Sequence, residues 1–132
     1  YKGILNDKSR AVFHGGIIVR EGAQQVDSKQ ENKNLLLSNQ AEADTKPAFW
    51  IYADDVKCGH GAASGKLDED ALFYLRSRGL PEHEARMLLM KGFVSEVIST
   101  IPNKSLQSHI EEMVDIKLQQ IWSCPLEEGT KC

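Results

Sequence analysis

Gly65-Lys66-Leu67-Asp68-Glu69-Asp70-Ala71-Leu72 is the stretch at which the chain changes its pattern. Before it, β-branched and aromatic runs alternate with turn residues. Ala11-Val12-Phe13, Gly16-Ile17-Ile18-Val19, Asn34-Leu35-Leu36-Leu37 and Phe49-Trp50-Ile51-Tyr52 read as strands. Between them, Glu21-Gly22-Ala23-Gln24-Gln25 and the polar run from Asp27 to Lys33 read as solvated turns or corners. The strands are short and their connections lack a helical period, which disfavours a parallel sheet built on helical crossovers. A sandwich, a barrel and a β-solenoid all stay open, because no exact repeat chooses among them.

After Leu67 the pattern is helical. Asp68-Glu69-Asp70 places acids where a helix N-terminus favours them, and Gly79 is a natural stop after Arg76 and Arg78. Pro81 suits the start of a second helix, running through Met87, Leu88, Leu89, Phe93, Val94, Val97 and Ile98. Gly92 inside it is expected to mark close packing, and Pro102 to end it. Asn103 is expected to cap a third helix carrying Leu106, Ile110, Met113, Val114, Lys117 and Ile121 at spacings of three and four. The tail after Pro125 reads as frayed. The expected division is therefore residues 1–66, rich in strands, and 67–132, three helices whose apolar stripes form a core or dock a partner.

Working outward to the whole chain, the 132 residues fit one domain, or a small domain with an appendage. The composition, 41% hydrophobic and 27% charged, excludes collagen, a disulfide scaffold and bulk disorder. Sixteen Lys and Arg against nineteen Asp and Glu leave a net charge of −3, which argues against sequence-independent nucleic-acid binding. No apolar run approaches a membrane span, and no signal-peptide pattern opens the chain. The start on Tyr1-Lys2-Gly3-Ile4-Leu5, without Met, is expected of a fragment cut inside or just before a sheet. Three widely spaced cysteines, Cys58, Cys124 and Cys132, make a poor disulfide framework and point to a reducing, cytosolic setting. Cys124 and Cys132 are expected to be bystanders.

Chemistry concentrates in Ile51 to Lys66. If Val56 to His60 is extended, alternation places Cys58 and His60 on one face, with Cα atoms roughly 6.6 Å apart. A thiolate and an imidazole at that spacing supply two metal ligands, whereas zinc sites and iron–sulfur clusters want about four. A metal site here is shared with another chain, transient or absent. Gly65-Lys66 fails as a phosphate loop, because His60 and Leu67 stand where glycine and Ser/Thr are needed. Ser64 near His60 lacks a nucleophile elbow. His14 reads as a turn histidine in preference to a ligand, and Asp54-Asp55 fits a cation site or a charged turn before a strand equally well.

The run Tyr52 to Ala62, followed by Asp68-Glu69-Asp70-Ala71-Leu72-Phe73-Tyr74-Leu75-Arg76-Ser77-Arg78-Gly79, closely resembles the SufD family of the SUF iron–sulfur cluster assembly machinery. Tyr1-Lys2-Gly3-Ile4, Arg10-Ala11-Val12-Phe13, Asn34-Leu35-Leu36-Leu37-Ser38 and Ala43-Asp44-Thr45-Lys46-Pro47 resemble it as well, so the likeness covers roughly residues 1–100. SufB-like chains carry Phe-Tyr-Cys-Arg in the helical segment, where this chain has Leu75. The Cys58-x-His60 pair is the SufD-like alternative. Phe49-Trp50 replaces a position that is often less aromatic, and His14 stands where Asn is frequent.

The resemblance implies the last rungs of a right-handed parallel β-helix over residues 1–66 and a C-terminal helical domain over 67–132. It implies a non-enzymatic, cytoplasmic scaffold that pairs with a SufB-like subunit and binds a SufC-like ATPase. His60, and less firmly Cys58, would contribute to a transient iron–sulfur cluster at the SufB interface, with no cofactor held stably by this piece. Phe73, Tyr74, Arg76 and Arg78 are the candidates for the SufC contact, against a plainer reading in which Phe73 and Leu72 are core and the arginines cap their helix. Two readings of other classes stand beside it. One is a small metal-dependent hydrolase using Cys58 and His60; the other is a homodimer without chemistry of its own.

Overall fold

A computed structural model describes residues 1–123. Five strands, β1 (Lys2–Leu5), β2 (Arg10–Val19), β3 (Val26–Leu36), β4 (Glu42–Ile51) and β5 (Val56–Gly65), precede three helices. The helices are α1 (Glu69–Ser77), α2 (Glu82–Ile98) and α3 (Lys104–Ser123). Two compact units divide the chain, Tyr1–Lys66 and Leu67–Cys132.

In the first unit every pairing is parallel and skips one strand. One sheet runs β1-β3-β5 and the other is β2-β4. Lys2 lies beside Lys33, Arg10 beside Glu42 and Val26 beside Val56, so each strand is stacked on one 30 to 32 residues later. The segment joining two paired strands is a strand of the other sheet, which satisfies a parallel ladder without a helical crossover. Corners are tight. Gly22 has φ +81°, a conformation costly for a residue with a Cβ, and Gln25 nearby has φ +61°. The Asp54–Asp55 bend stacks on this corner, with the Gln25 amide donating to the Asp55 carbonyl at 2.6 Å.

Two sequence expectations are corrected here. Ala11-Val12-Phe13 and Gly16-Ile17-Ile18-Val19 are one strand, continuous through Gly15-Gly16. Both glycines sit under closely approaching side chains rather than in a turn. A Cβ on Gly15 would stand 2.2 Å from Gln30 Nε2, and one on Gly16 would stand 2.5 Å from the Trp50 ring. His14 is consequently a mid-strand residue, exposed and paired in register with Lys46, not a turn histidine.

The second correction concerns Asp27 to Lys33, which lies inside β3 rather than in a corner. Hydrogen bonding along the stacked strands satisfies its backbone, and the Asn34 amide bridges the inward side chains, while the buried Gln30 Nε2 and Asn32 Nδ2 have no protein partner among the described residues. Asn32 is 1% exposed and accepts at Oδ1 from Asn34 Nδ2 at 2.7 Å, which also reaches Ser64 Oγ at 3.4 Å. Polar composition marks a loop only where no partner strand and no amide ladder are at hand. Apolar burial in this unit comes from Leu5, Val19, Leu35, Ala41 and Ala53.

In the second unit the local signals act as read. Asp68 caps α1, its carboxylate accepting from the Asp70 and Ala71 amides at 2.9 and 3.1 Å. Gly79 follows at φ +93°. Pro81 stands at the N-cap of α2, one residue before its first helical position, and α2 ends at Ile98, ahead of Pro102. Asn103 Oδ1 accepts from the Leu106 amide at 3.1 Å at the start of α3. The core gathers Leu67, Leu72, Ala85, Met90, Ile98 and Leu118, and Lys91 pairs with Asp115 at 2.9 Å between α2 and α3.

The stripe of α3 differs from the expected one. Ile110, Val114, Leu118 and Ile121 are the residues turned inward, whereas Leu106 and Met113 are exposed and Lys117 faces solvent. Spacings of three and four fit two adjacent stripes equally well, and packing against α2 selects one of them.

Gly92 departs too. It is exposed, and a Cβ there would meet nothing within 4 Å, so it serves no close packing among the described residues. Gly92→Ala is expected to stabilise the chain by about 0.5–1 kcal/mol through helix propensity, read as a rise of several degrees in Tm. An unchanged or lowered Tm would mean that a Cβ at this position is not accommodated. Cys124, Cys132 and the expected frayed tail lie outside the described residues.

Candidate functional site

The site begins with why Val56 to Gly65 is extended at all. Gly59, Gly61 and Gly65 weaken a strand, yet all ten residues stack on β3 from Val26↔Val56 to Leu35↔Gly65. The register therefore sets each side chain's phase. Cys58 lies over Ser28, His60 over Gln30, Ala62 over Asn32 and Ser64 over Asn34. The lower residues of these pairs are half-buried or buried, so Cys58 and His60 share the inward-phase face, as alternation required.

β5 is the last strand of its sheet, with β3 on one side. Cys58 is half-buried and unbridged, and His60 is exposed. The His60 imidazole stacks on the Phe49 ring of β4, centroids 4.8 Å apart and planes 28° from parallel. The sequence marks Phe49 only as an unusual aromatic. The available signal is its phase: it pairs with Ile17 at an inward position of β4.

Among the described residues no group of three or more His, Cys, Asp and Glu side chains is arranged to hold a metal. Cys58 and His60 are thus two donor side chains on one face without a third beside them to complete a metal-holding group. The other chemical candidates are occupied structurally. Ser64 Oγ accepts from Asn34. Lys66 Nζ donates to Asn39 Oδ1 at 2.6 Å, not to a phosphate cradle.

The helical candidates fall into two pairs. Tyr74 and Arg78, one turn apart, are joined by an Nη2–H donation to the phenol oxygen at 3.1 Å, with the guanidinium 5.2 Å from the ring centroid. Arg76 pairs with Glu82 at 3.4 Å, and with Phe73, Leu80 and Pro81 it lines a shallow groove at the α1–α2 turn. Leu72 is core, but Phe73 is 74% exposed, which overturns the reading of Phe73 as core.

The description "SUF system FeS cluster assembly, SufBD core domain" matches residues 1–93. The chain belongs to the SufBD family. Among its relatives, the iron–sulfur cluster assembly protein SufD of Escherichia coli is 43% identical over 110 residues, covering 83% of this chain and 26% of that protein. The iron–sulfur cluster assembly SufBD family protein slr0076 of Synechocystis sp. is 43% identical over 117 residues, covering 89% and 26%. SufD of Bacillus subtilis is 32% identical over 117 residues, covering 89% and 27%. The chain spans about a quarter of the length of these curated relatives. The SufBD match takes in all five strands, α1 and α2 as far as Phe93, with α3 beyond it. No helix among the described residues is long and apolar enough to cross a membrane.

Proposed function

We propose that this chain is the C-terminal part of a SufD-like scaffold subunit for iron–sulfur cluster assembly. Residues 1–66 are the last rungs of a right-handed parallel β-helix, and 67–132 are its C-terminal helical domain. The alternating use of two parallel sheets supports the solenoid, and the handedness follows the general preference for right-handed crossovers between parallel strands. The subunit pairs with a SufB-like protein and binds a SufC-like ATPase, and it acts in the cytoplasm. It has no enzymatic turnover and no resident cofactor, and it binds neither nucleic acid nor membrane.

One observation carries this reading: Cys58 and His60 lie in phase on the edge strand β5, with no third metal-binding group among the described residues. Two ligands at an open edge suit a nascent cluster, here the cargo, completed by a second chain's ligands. A lone hydrolytic zinc centre needs at least one more protein ligand. At the helical unit, the groove beside Phe73 and Arg76 and the Tyr74–Arg78 pair form the surface offered to the SufC-like ATPase.

Affinity capture of the intact subunit tests the scaffold role. Retention of both a SufB-like and a SufC-like partner is expected. Failure to retain the ATPase contradicts the role.

A further inference from the structure

His60 sits in a strand poorly equipped to hold it. Gly59 and Gly61 flank it, and a Cβ on either would meet nothing within 4 Å. Glycine carries the largest backbone freedom and no side chain to pack, and among the described residues β5 has β3 as its single neighbour in the sheet. Gln30, the residue under His60 in the ladder, turns its amide toward β2, where Nε2 approaches Gly15. The imidazole's lateral support comes from the other sheet, in the ring of Phe49 at 4.8 Å and 28°.

We propose that Phe49 is a positioning residue for His60, holding the imidazole against a fixed ring so that its nitrogens are presented at the open edge of β5. The inference rests on the reading of His60 as a cluster ligand. Stacking occupies a face of the imidazole. It leaves the in-plane lone pair of one nitrogen for ligation and the N–H of the other for a hydrogen bond. Phe49 is itself anchored: it is half-buried and sits on β4 beside Ile17 of β2. An aliphatic side chain there would fill space without fixing a ring plane, because offset stacking is a property of paired π systems. A ligand held in one orientation binds more tightly than one that must first be ordered, and outer partners that orient metal ligands act in this way.

The test uses the intact subunit assembled with its SufB-like and SufC-like partners. Phe49→Leu, Phe49→Trp and His60→Ala are compared with wild type for iron and sulfide incorporated. In the isolated intact subunit, the Hε1 resonance of His60 is followed with selectively labelled histidine. Phe49→Leu is expected to move that resonance toward its unstacked position and to lower cluster yield about three- to tenfold, the population change that one aromatic pair accounts for. Phe49→Trp is expected to keep both near wild type.

Wild-type yield in Phe49→Leu, with yield lost in His60→Ala, overturns the positioning role. So does equal loss in Phe49→Leu and Phe49→Trp, since that marks a packing defect rather than a lost stack. Wild-type yield in His60→Ala strikes the cluster-ligand reading itself, and this proposal with it.

Discussion

Met90→Ala lowers the stability of the helical unit by about 2–5 kcal/mol on this account. Met90 lies in the interior of α2, is 0% exposed and is among the largest fully buried side chains of the chain. Truncation removes its transfer free energy and leaves a cavity that helices joined by short turns close incompletely. A unit of this size has a total stability on the order of 3–10 kcal/mol, so the loss is a large fraction of it. Leu88 is the internal control. It is on the same helix but half exposed, and Leu88→Ala is expected to change stability by no more than about 0.5 kcal/mol. Urea unfolding followed by helical circular dichroism separates the two. Equal midpoint shifts for Met90→Ala and Leu88→Ala would contradict the placement of the core.

What was legible in the sequence follows the range of the interactions involved. The start of α1 at Asp68, its stop at Gly79 and the cap at Asn103 depend on hydrogen bonds and backbone angles within a few residues, so residue type announces them. Once Val56 to His60 is extended by stacking on β3, the shared face of Cys58 and His60 follows from period-two alternation. The strand from Asp27 to Lys33 was not legible. Its partners lie about 30 residues away, and its buried Asn32–Asn34 pair looks like loop composition when read alone.

The same holds for α3, where two stripes satisfy one spacing, and for Gly92, whose environment only tertiary packing decides. Phe49 was visible as an unusual aromatic. That it faces His60 depends on the phase of β4 and on how the two sheets oppose one another. The likeness to the SufD family, by contrast, was carried by long runs of specific residues, and the match to the SufBD core covers residues 1–93.

His60→Ala carries the largest functional effect. On the proposed function the imidazole is one of two ligands that the edge strand β5 supplies, and it is exposed. Its removal leaves Cys58 as the remaining donor on that face. Loss of groups that merely orient a ligand costs about 10–100-fold in metal affinity, so loss of the ligand itself is expected to cost at least tenfold in cluster yield. Folding is expected to be unaffected. The side chain is exposed, is flanked by two exposed glycines, and stacks on the Phe49 ring. Cys58→Ser is expected to fall between His60→Ala and wild type, because the half-buried thiol also packs within the ladder over Ser28.

The decisive measurement is the iron and acid-labile sulfide content of the anaerobically purified complex of the intact subunit with its SufB-like and SufC-like partners, wild type against His60→Ala. The account predicts an intact complex in both cases and a cluster content at least about tenfold lower in the variant. Equal iron and sulfide in the two complexes would contradict it.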